Sequence, residues 1–250
     1  MNLLAFETST EACSVALWRD GEALERFEIA PRRHAELALP WAEALLADAG
    51  IARAQLDAIA VGRGPGAFTG VRLGVAIAQG IALALDLPVL PVSTLLALAA
   101  RAPSASTRVL AAIDARMGEV YLGAFARDGD GAVDGWRALQ AEAVGAPGLV
   151  ALPDGDGWAG VGTGFDAVDG ALRARLGGRL AQVDAAALPH AADVARLGAA
   201  MFARGEAIAP ERLEPAYLRD NVALTLAEQA AASASAATSA SAKKASTSER

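Results

Sequence analysis

A strand that ends in a carboxylate, turns and returns as an alternating strand occurs twice in this chain, and that duplication restricts its fold more than any other feature. Residues 3–7 read as the first strand, closed by Glu7. A turn leads to an alternating strand over 12–18, and Asp20-Gly21 turns into a third over 22–29. In the second copy residues 109–114 close on Asp114, residues 119–126 form the returning strand, and Asp128-Gly129 leads toward a third near Trp136. Helices follow each time. One is predicted over 34–49, with Leu37, Trp41, Leu45 and Ala49 on one face and Pro40 either kinking it or marking its start. In the second half the pattern predicts a helix from about Glu142, a strand over 158–161 and a helix over 191–203. Three meandering strands followed by alternating helices and strands, used twice, describe an α/β chain of two duplicated lobes with a cleft between them. The boundaries read as 1–105 and 106–222, with the last helix of the second lobe crossing back onto the first. A tail at 223–250 follows, almost all Ala, Ser and Thr, too poor in large apolar residues to offset its ordering entropy.

Residues 62–74 join a predicted strand over 56–61 to a predicted helix from about Gly70 to Leu85. Gly62, Gly64 and Gly66 permit positive φ and close backbone approach, and Pro65 stiffens the turn. With Thr69 and Gly70 at the helix start, facing unpaired amides and a positive dipole end, the loop is a candidate anion or nucleotide site. A tight turn whose glycines only permit packing is the competing reading. Walker and dinucleotide-binding patterns are both excluded, the first by the missing Lys and Ser or Thr, the second by Thr69 where a third glycine belongs. Along the helix, Gly70, Gly74 and Ala78 form one row of small residues and Ala76, Gly80 and Ala84 another. One row packs on the chain's own sheet. The other, with the preceding helix, offers a partner or a second copy an apolar face, its candidate contacts being His34, Leu37, Trp41, Leu45, Arg72, Val75 and Gln79.

Composition removes whole classes of chemistry. Of 22 basic residues only Lys243 and Lys244 are lysines, so the foldable part holds none, and Schiff-base or lysine-assisted phosphoryl transfer is excluded there. The net charge of -7 disfavours a self-sufficient nucleic-acid binder. No uninterrupted apolar run of about 18 residues is evident, and no basic segment precedes an apolar one at the start, so a cytoplasmic protein with no membrane contact is expected. The single cysteine, Cys13, sits in an alternating strand and reads as a small buried hydrophobe.

Residues 7–17, the loop 62–74, the stretch 113–121 and Pro215-Ala216-Tyr217-Leu218-Arg219 together resemble the bacterial TsaB family, formerly called YeaZ. The resemblance covers nearly everything from residue 1 to about 222. It implies an actin-like ATPase (ASKHA, ribonuclease H-like) fold. It also implies a place in the machinery that makes N6-threonylcarbamoyladenosine at position 37 of ANN-decoding tRNAs. There the family is the non-catalytic partner of its paralogue TsaD, joined by the ATPase TsaE. In TsaD two histidines four residues apart bind a metal; the matching positions here are Thr94 and Leu98, so no metal ligand is expected. The apolar helix face predicts a homodimer in isolation, and the acidic balance a tRNA met only through the complex; the missing histidine pair predicts no catalytic residue and no activity alone, with ATP or ADP, if bound at all, at the complex interface. Three rivals stand beside it. An actin-fold small-molecule kinase would use residues 160–164 as a second nucleotide loop and Asp114 in the cleft. A peptidase cannot be assembled from His34 and His190, the only histidines. A direct tRNA binder would need a local basic edge built from Arg32, Arg33, Arg63, Arg72, Arg116 and Arg219.

Overall fold

In the computed structural model, which describes residues 1–127 and 135–219, the duplicated pattern becomes two sheets of the same strand order. The first contains β1 (Asn2–Glu7), β2 (Ala12–Arg19) and β3 (Glu22–Ile29) as an antiparallel meander. β4 (Ala58–Gly62) and β5 (Val89–Val92) extend it in parallel, giving the order β3-β2-β1-β4-β5. In the second sheet β6 (Arg108–Arg116), β7 (Glu119–Arg127) and β8 (Trp136–Ala138) form the meander. β10 (Trp158–Val161) and β11 (Leu180–Asp184) run parallel beyond β6, and β9 (Ala143–Gly145) pairs with β7. β9 stands where the sequence predicts a helix from about Glu142. Pairing with β7 supplies its backbone partners, and Gly145, Pro147 and Gly148 disfavour a helix. The predicted tail lies outside the described residues.

Among the described residues five α-helices complete the layers: α1 (His34–Asp48), α2 (Phe68–Leu85), α3 (Thr94–Ala99), α4 (Ala167–Leu176) and α5 (Ala191–Ala203). Alternation along β1 decides which helix covers which face. Leu4 and Phe6 join Val15, Ile59 and Val61 under α1 and α2, whereas Leu3 and Ala5 join Ala58, Ala60 and Leu90 under α5. The α5 face of the sheet is alanine-rich, and Gly198 brings the helix within about one methyl of it: a Cβ at Gly198 would lie 2.8 Å from the Ala60 methyl. α3, from the first half of the chain, packs conversely on β6 and β10 through Leu95, Leu98 and Ala99. Each inner sheet face is thus covered by a helix from the other half. Residues 1–218 accordingly make one compact unit.

Pro40 neither starts nor ends α1, which begins at His34 and continues through the proline to Asp48. Both Pro40 and Glu36, whose carbonyl the proline leaves unpaired, lie on the solvent side. α2, by contrast, is long and apolar enough by length and composition to cross a membrane, which the sequence reading did not anticipate. Its buried stripe of Gly70, Val71, Gly74, Val75, Ala78 and Ala82 lies on the first sheet.

The two small-residue rows of α2 should respond oppositely to a methyl group. A Cβ at Gly70 would lie 2.1 Å from the Thr8 carbonyl oxygen, whereas one at Gly80 meets nothing within 4 Å. In urea denaturation Gly70→Ala is expected to lose about 1–3 kcal/mol and Gly80→Ala to gain about 0.5–1 kcal/mol.

Candidate functional site

The glycine loop between β4 and α2 closes on the chain's own β1–β2 turn. A Cβ at Gly62 would fall 1.9 Å from a Glu7 carboxylate oxygen, one at Gly66 2.3 Å from Ser9 O, and Gly70 is pressed against Thr8. Gly64 holds φ 99° and precedes a cis bond to Pro65. Three of the loop amides are committed as well: Arg63 N–H donates to Val92 O, Gly64 N–H to Thr94 Oγ1 and Ala67 N–H to Ser9 O. Glycine at 62, 66 and 70 therefore serves close packing, and the turn 8–10 fills the space over the loop. Thr69 alone among the loop candidates is exposed.

Behind the loop lies a buried acid. Glu7 accepts from Ser9 N–H at 2.7 Å and contacts Thr94 Oγ1 at 3.1 Å; Thr94 Oγ1 is 3.0 Å from Ser9 Oγ, which reaches Gly62 O at 3.5 Å. Complete burial raises the Glu7 carboxyl above its usual range, against the lowering influence of the Ser9 and Thr94 hydrogen bonds. The donors around Glu7 suit either protonation state. The single Thr94 proton serves only one of its two neighbours; the other contact forms with a proton from that neighbour, Ser9 Oγ beside an ionised Glu7 or Glu7 itself when protonated, while Thr94 Oγ1 accepts from Gly64 N–H. Thr94 and Leu98, the positions that the resemblance matched to histidines, are a hydrogen-bonding partner of this acid and a fully buried core residue respectively.

The corresponding loop of the second lobe is filled in the same way. A Cβ at Gly162 would lie 2.3 Å from Ala112 O, and one at Gly164 2.7 Å from the Ala112 methyl. The Asp114 carboxylate is paired with Arg116 at 2.8 Å, and Asp114 N–H donates to Thr163 Oγ1.

The candidate docking residues divide. Leu45 and Val75 are core residues, 4% and 5% exposed, because both point under α1 and α2 onto the sheet; they are corrected from surface to core. His34 Nε2 lies 3.0 and 3.1 Å from the carbonyls of Thr10 and Ala12, so that nitrogen carries the proton and the ring fixes the start of α1. Gln79 donates to the carbonyls of Pro210 and Leu213, clamping the C-terminal segment onto α2. Arg72 lies over Phe68 at 3.2 Å and Tyr217 at 4.8 Å. Leu37 and Trp41 are half-buried on α1. What α2 leaves outward is Ala76, Gly80 and Ala84 together with Phe68 and Leu83, 63% and 53% exposed. Phe68 and Leu83 were legible as flanks of the small-residue row, since each lies on its side of the helix.

One further polar cluster escaped the sequence reading, because its parts are far apart in the chain. Ser14 Oγ accepts from Ala191 N–H at the start of α5 and donates to Glu25 Oε1, which also accepts from Ala192 N–H. His190 Nδ1 meets Glu25 at 2.9 Å and stacks on Phe27 at 4.1 Å. Burial opposes the Glu25 charge, but the bonds from His190, Ser14 and Ala192 outweigh it and hold the carboxyl below its usual range. Cys13 is buried in the core, and burial pushes its thiol up to about 11.

Glu7 gives the site a pH signature. Because the folded carboxyl holds its proton more tightly than the unfolded one, its contribution is fully present below the ordinary value of 4.5 and is lost as pH rises through the raised folded value. Glu7→Gln keeps the shape without the charge. Its unfolding midpoint relative to wild type is expected to climb as pH rises above the ordinary value of 4.5; a difference that stays constant contradicts the buried acid.

The TsaD family model, described as tRNA N6-adenosine threonylcarbamoyltransferase, matches residues 28–227. The tRNA threonylcarbamoyladenosine biosynthesis protein TsaB of Escherichia coli (strain K12) is 44% identical over 228 residues, 89% of this chain and 96% of that protein. Its namesake in Haemophilus influenzae (strain ATCC 51907 / DSM 11121 / KW20 / Rd) is 40% identical over 229 residues, 89% and 95% of the two chains. The solved structure of YeaZ from Pseudomonas aeruginosa superposes with a TM-score of 0.79 at 47% identity, covering 87% of this chain and 99% of that one. The fold is the actin-like (ASKHA, ribonuclease H-like) arrangement, with its strand order repeated in two lobes. Matched nearly end to end by relatives of this identity, and built on the same framework, the chain belongs to the TsaB (YeaZ) family.

Proposed function

We propose that this chain serves tRNA threonylcarbamoyladenosine biosynthesis as a docking subunit rather than as the catalyst. The relatives' names supply the pathway. One observation carries the role: α2 is apolar enough to span a membrane, yet only one stripe of it is buried in its own chain. An outward row of Ala76, Gly80 and Ala84 flanked by Phe68 and Leu83 lets another helix approach closely, and it needs a cover. TsaD is the partner that covers it in the working complex; a second copy covers it in isolation, by a two-fold contact in which α2 meets α2. The nucleotide-loop positions support the same reading, since Glu7, Thr8 and Ser9 occupy them from within. TsaE joins the pair, tRNA is met through the assembly, and any ATP or ADP lies at its interface. The protein works in the cytoplasm. Residues 1–105 and 106–222 are the two lobes that carry these roles.

Gly80→Arg separates docking from folding, because replacing a helical glycine favours the helix and the added side chain enters open space. Light scattering is expected to show a monomer, with TsaD affinity reduced at least about tenfold and N6-threonylcarbamoyladenosine formation in a reconstituted system reduced in step. Leu83→Asp should act alike. An unchanged dimer together with unchanged TsaD affinity overturns the docking role.

A further inference from the structure

Two guanidinium groups from separate segments pair with one carboxylate on α5, and a third, at the end of β7, is close enough to feel the charge of both Asp193 and Arg196. Asp193, buried on α5, accepts from Arg196 NH2 at 2.6 Å and from Arg101 NH1 at 3.4 Å, Arg101 lying just beyond α3. Arg127, the last residue of β7, lies over the Trp136 ring at 4.5 Å and donates to the carbonyls of Ser104 and Pro103. Among the described residues Asp193 is the only carboxylate that pairs with any of the three. Two positive charges are left over, in a chain whose net charge is -7. Two further observations show that the cluster is under-compensated. Arg196 Nε is buried without a hydrogen-bond partner. Burial, and then the positive charge of Arg196, depress the Arg127 guanidinium.

A structural ion pair for Asp193 needs one arginine. Gathering three in a half-buried place adds like-charge repulsion that an anion would offset, and the planar fork of arginine matches phosphate oxygens bidentately. Beside the cluster, Trp136 and Leu197 line a cavity of about 210 Å³, short of the roughly 300–1,000 Å³ of small-molecule pockets, so only the anion itself is assigned.

We propose that Arg101, Arg127 and Arg196 form a phosphate-binding site, with Asp193 positioning two of the three guanidinium groups. The phosphate belongs to an RNA backbone or to a free anion. Assigning it to RNA rests on the tRNA reading above; the site does not.

The test uses the full chain and a triple variant, Arg101→Gln/Arg196→Gln/Asp193→Asn, which removes two cations without stranding a buried carboxylate. At constant ionic strength, inorganic phosphate should raise the wild-type unfolding midpoint saturably and leave that of the variant unmoved. For a tRNA transcript, the variant's affinity should fall at least about tenfold at low salt, and the slope of log affinity against log salt should shrink by about one to two. Arg53→Gln, on an exposed arginine elsewhere, should change neither. A phosphate response without a tRNA effect keeps the site and overturns RNA as the bearer, leaving the docking role untouched. Equal responses of wild type and triple variant overturn the site. So does phosphate binding seen only after Asp128, Asp130 and Asp134, which follow Arg127 in sequence, are replaced by Asn, because the cluster would then be neutralised by its own chain.

Discussion

Contact between the glycine loop and the β1–β2 turn sets everything around it. Without side chains at 62, 66 and 70 the loop closes to van der Waals distance on Glu7, Thr8 and Ser9, and Thr8 Oγ1 donates to Gly70 O at the head of α2. Gly74 continues the approach, its Cβ position lying 2.7 Å from Thr8 Oγ1. Two turns of α2 are thereby pressed onto the sheet, which fixes the helix's rotation. One row of small residues is consumed by that packing, and the opposite row has to face outward. The close packing between loop and turn thus also sets which apolar face of α2 is left outward, the face on which the proposed docking rests.

The same exchange of covering elements ties the lobes together. α5 seals the alanine-rich face of the first sheet and α3 seals the facing side of the second, so neither half buries its inner face alone. The start of α5 is held by Ser14 and Glu25 of the first sheet, whose acceptors satisfy the amides of Ala191 and Ala192. At its side Ser93, the N-cap of α3, donates to Glu142, whose carboxyl is raised by burial. Polar groups at these junctions are thus partnered across the lobes, an arrangement that suits a rigid docking body more than one that opens and closes around a substrate.

Much of this was legible because periodicity is local. The duplicated meanders, β10 and α5 follow directly from alternation and helical spacing in their own segments, as does the division of α2 into two small-residue rows. The errors have equally physical sources. Leu45 and Val75 lie on apolar faces that sequence alone cannot sort into sheet-facing and solvent-facing halves. Residues 143–145 follow a partner strand instead of their own propensity. The glycine loop satisfies the local signatures of an anion cradle and of a packing turn alike, and only the tertiary position of Glu7 and Ser9 shows how closely Gly62 and Gly66 are packed. Clusters assembled from distant segments, Ser14 with Glu25 and His190 or Arg101 with Arg127, Asp193 and Arg196, leave no pattern at any single spacing.

Radical footprinting of the chain with and without TsaD tests the docking account most directly, because it reads side-chain exposure residue by residue. Phe68 and Leu83, 63% and 53% exposed on α2, are expected to lose most of their oxidation when TsaD is added, while Leu149, 85% exposed on the second lobe, keeps its own. Unchanged oxidation of Phe68 and Leu83 in a complex that demonstrably forms would contradict it.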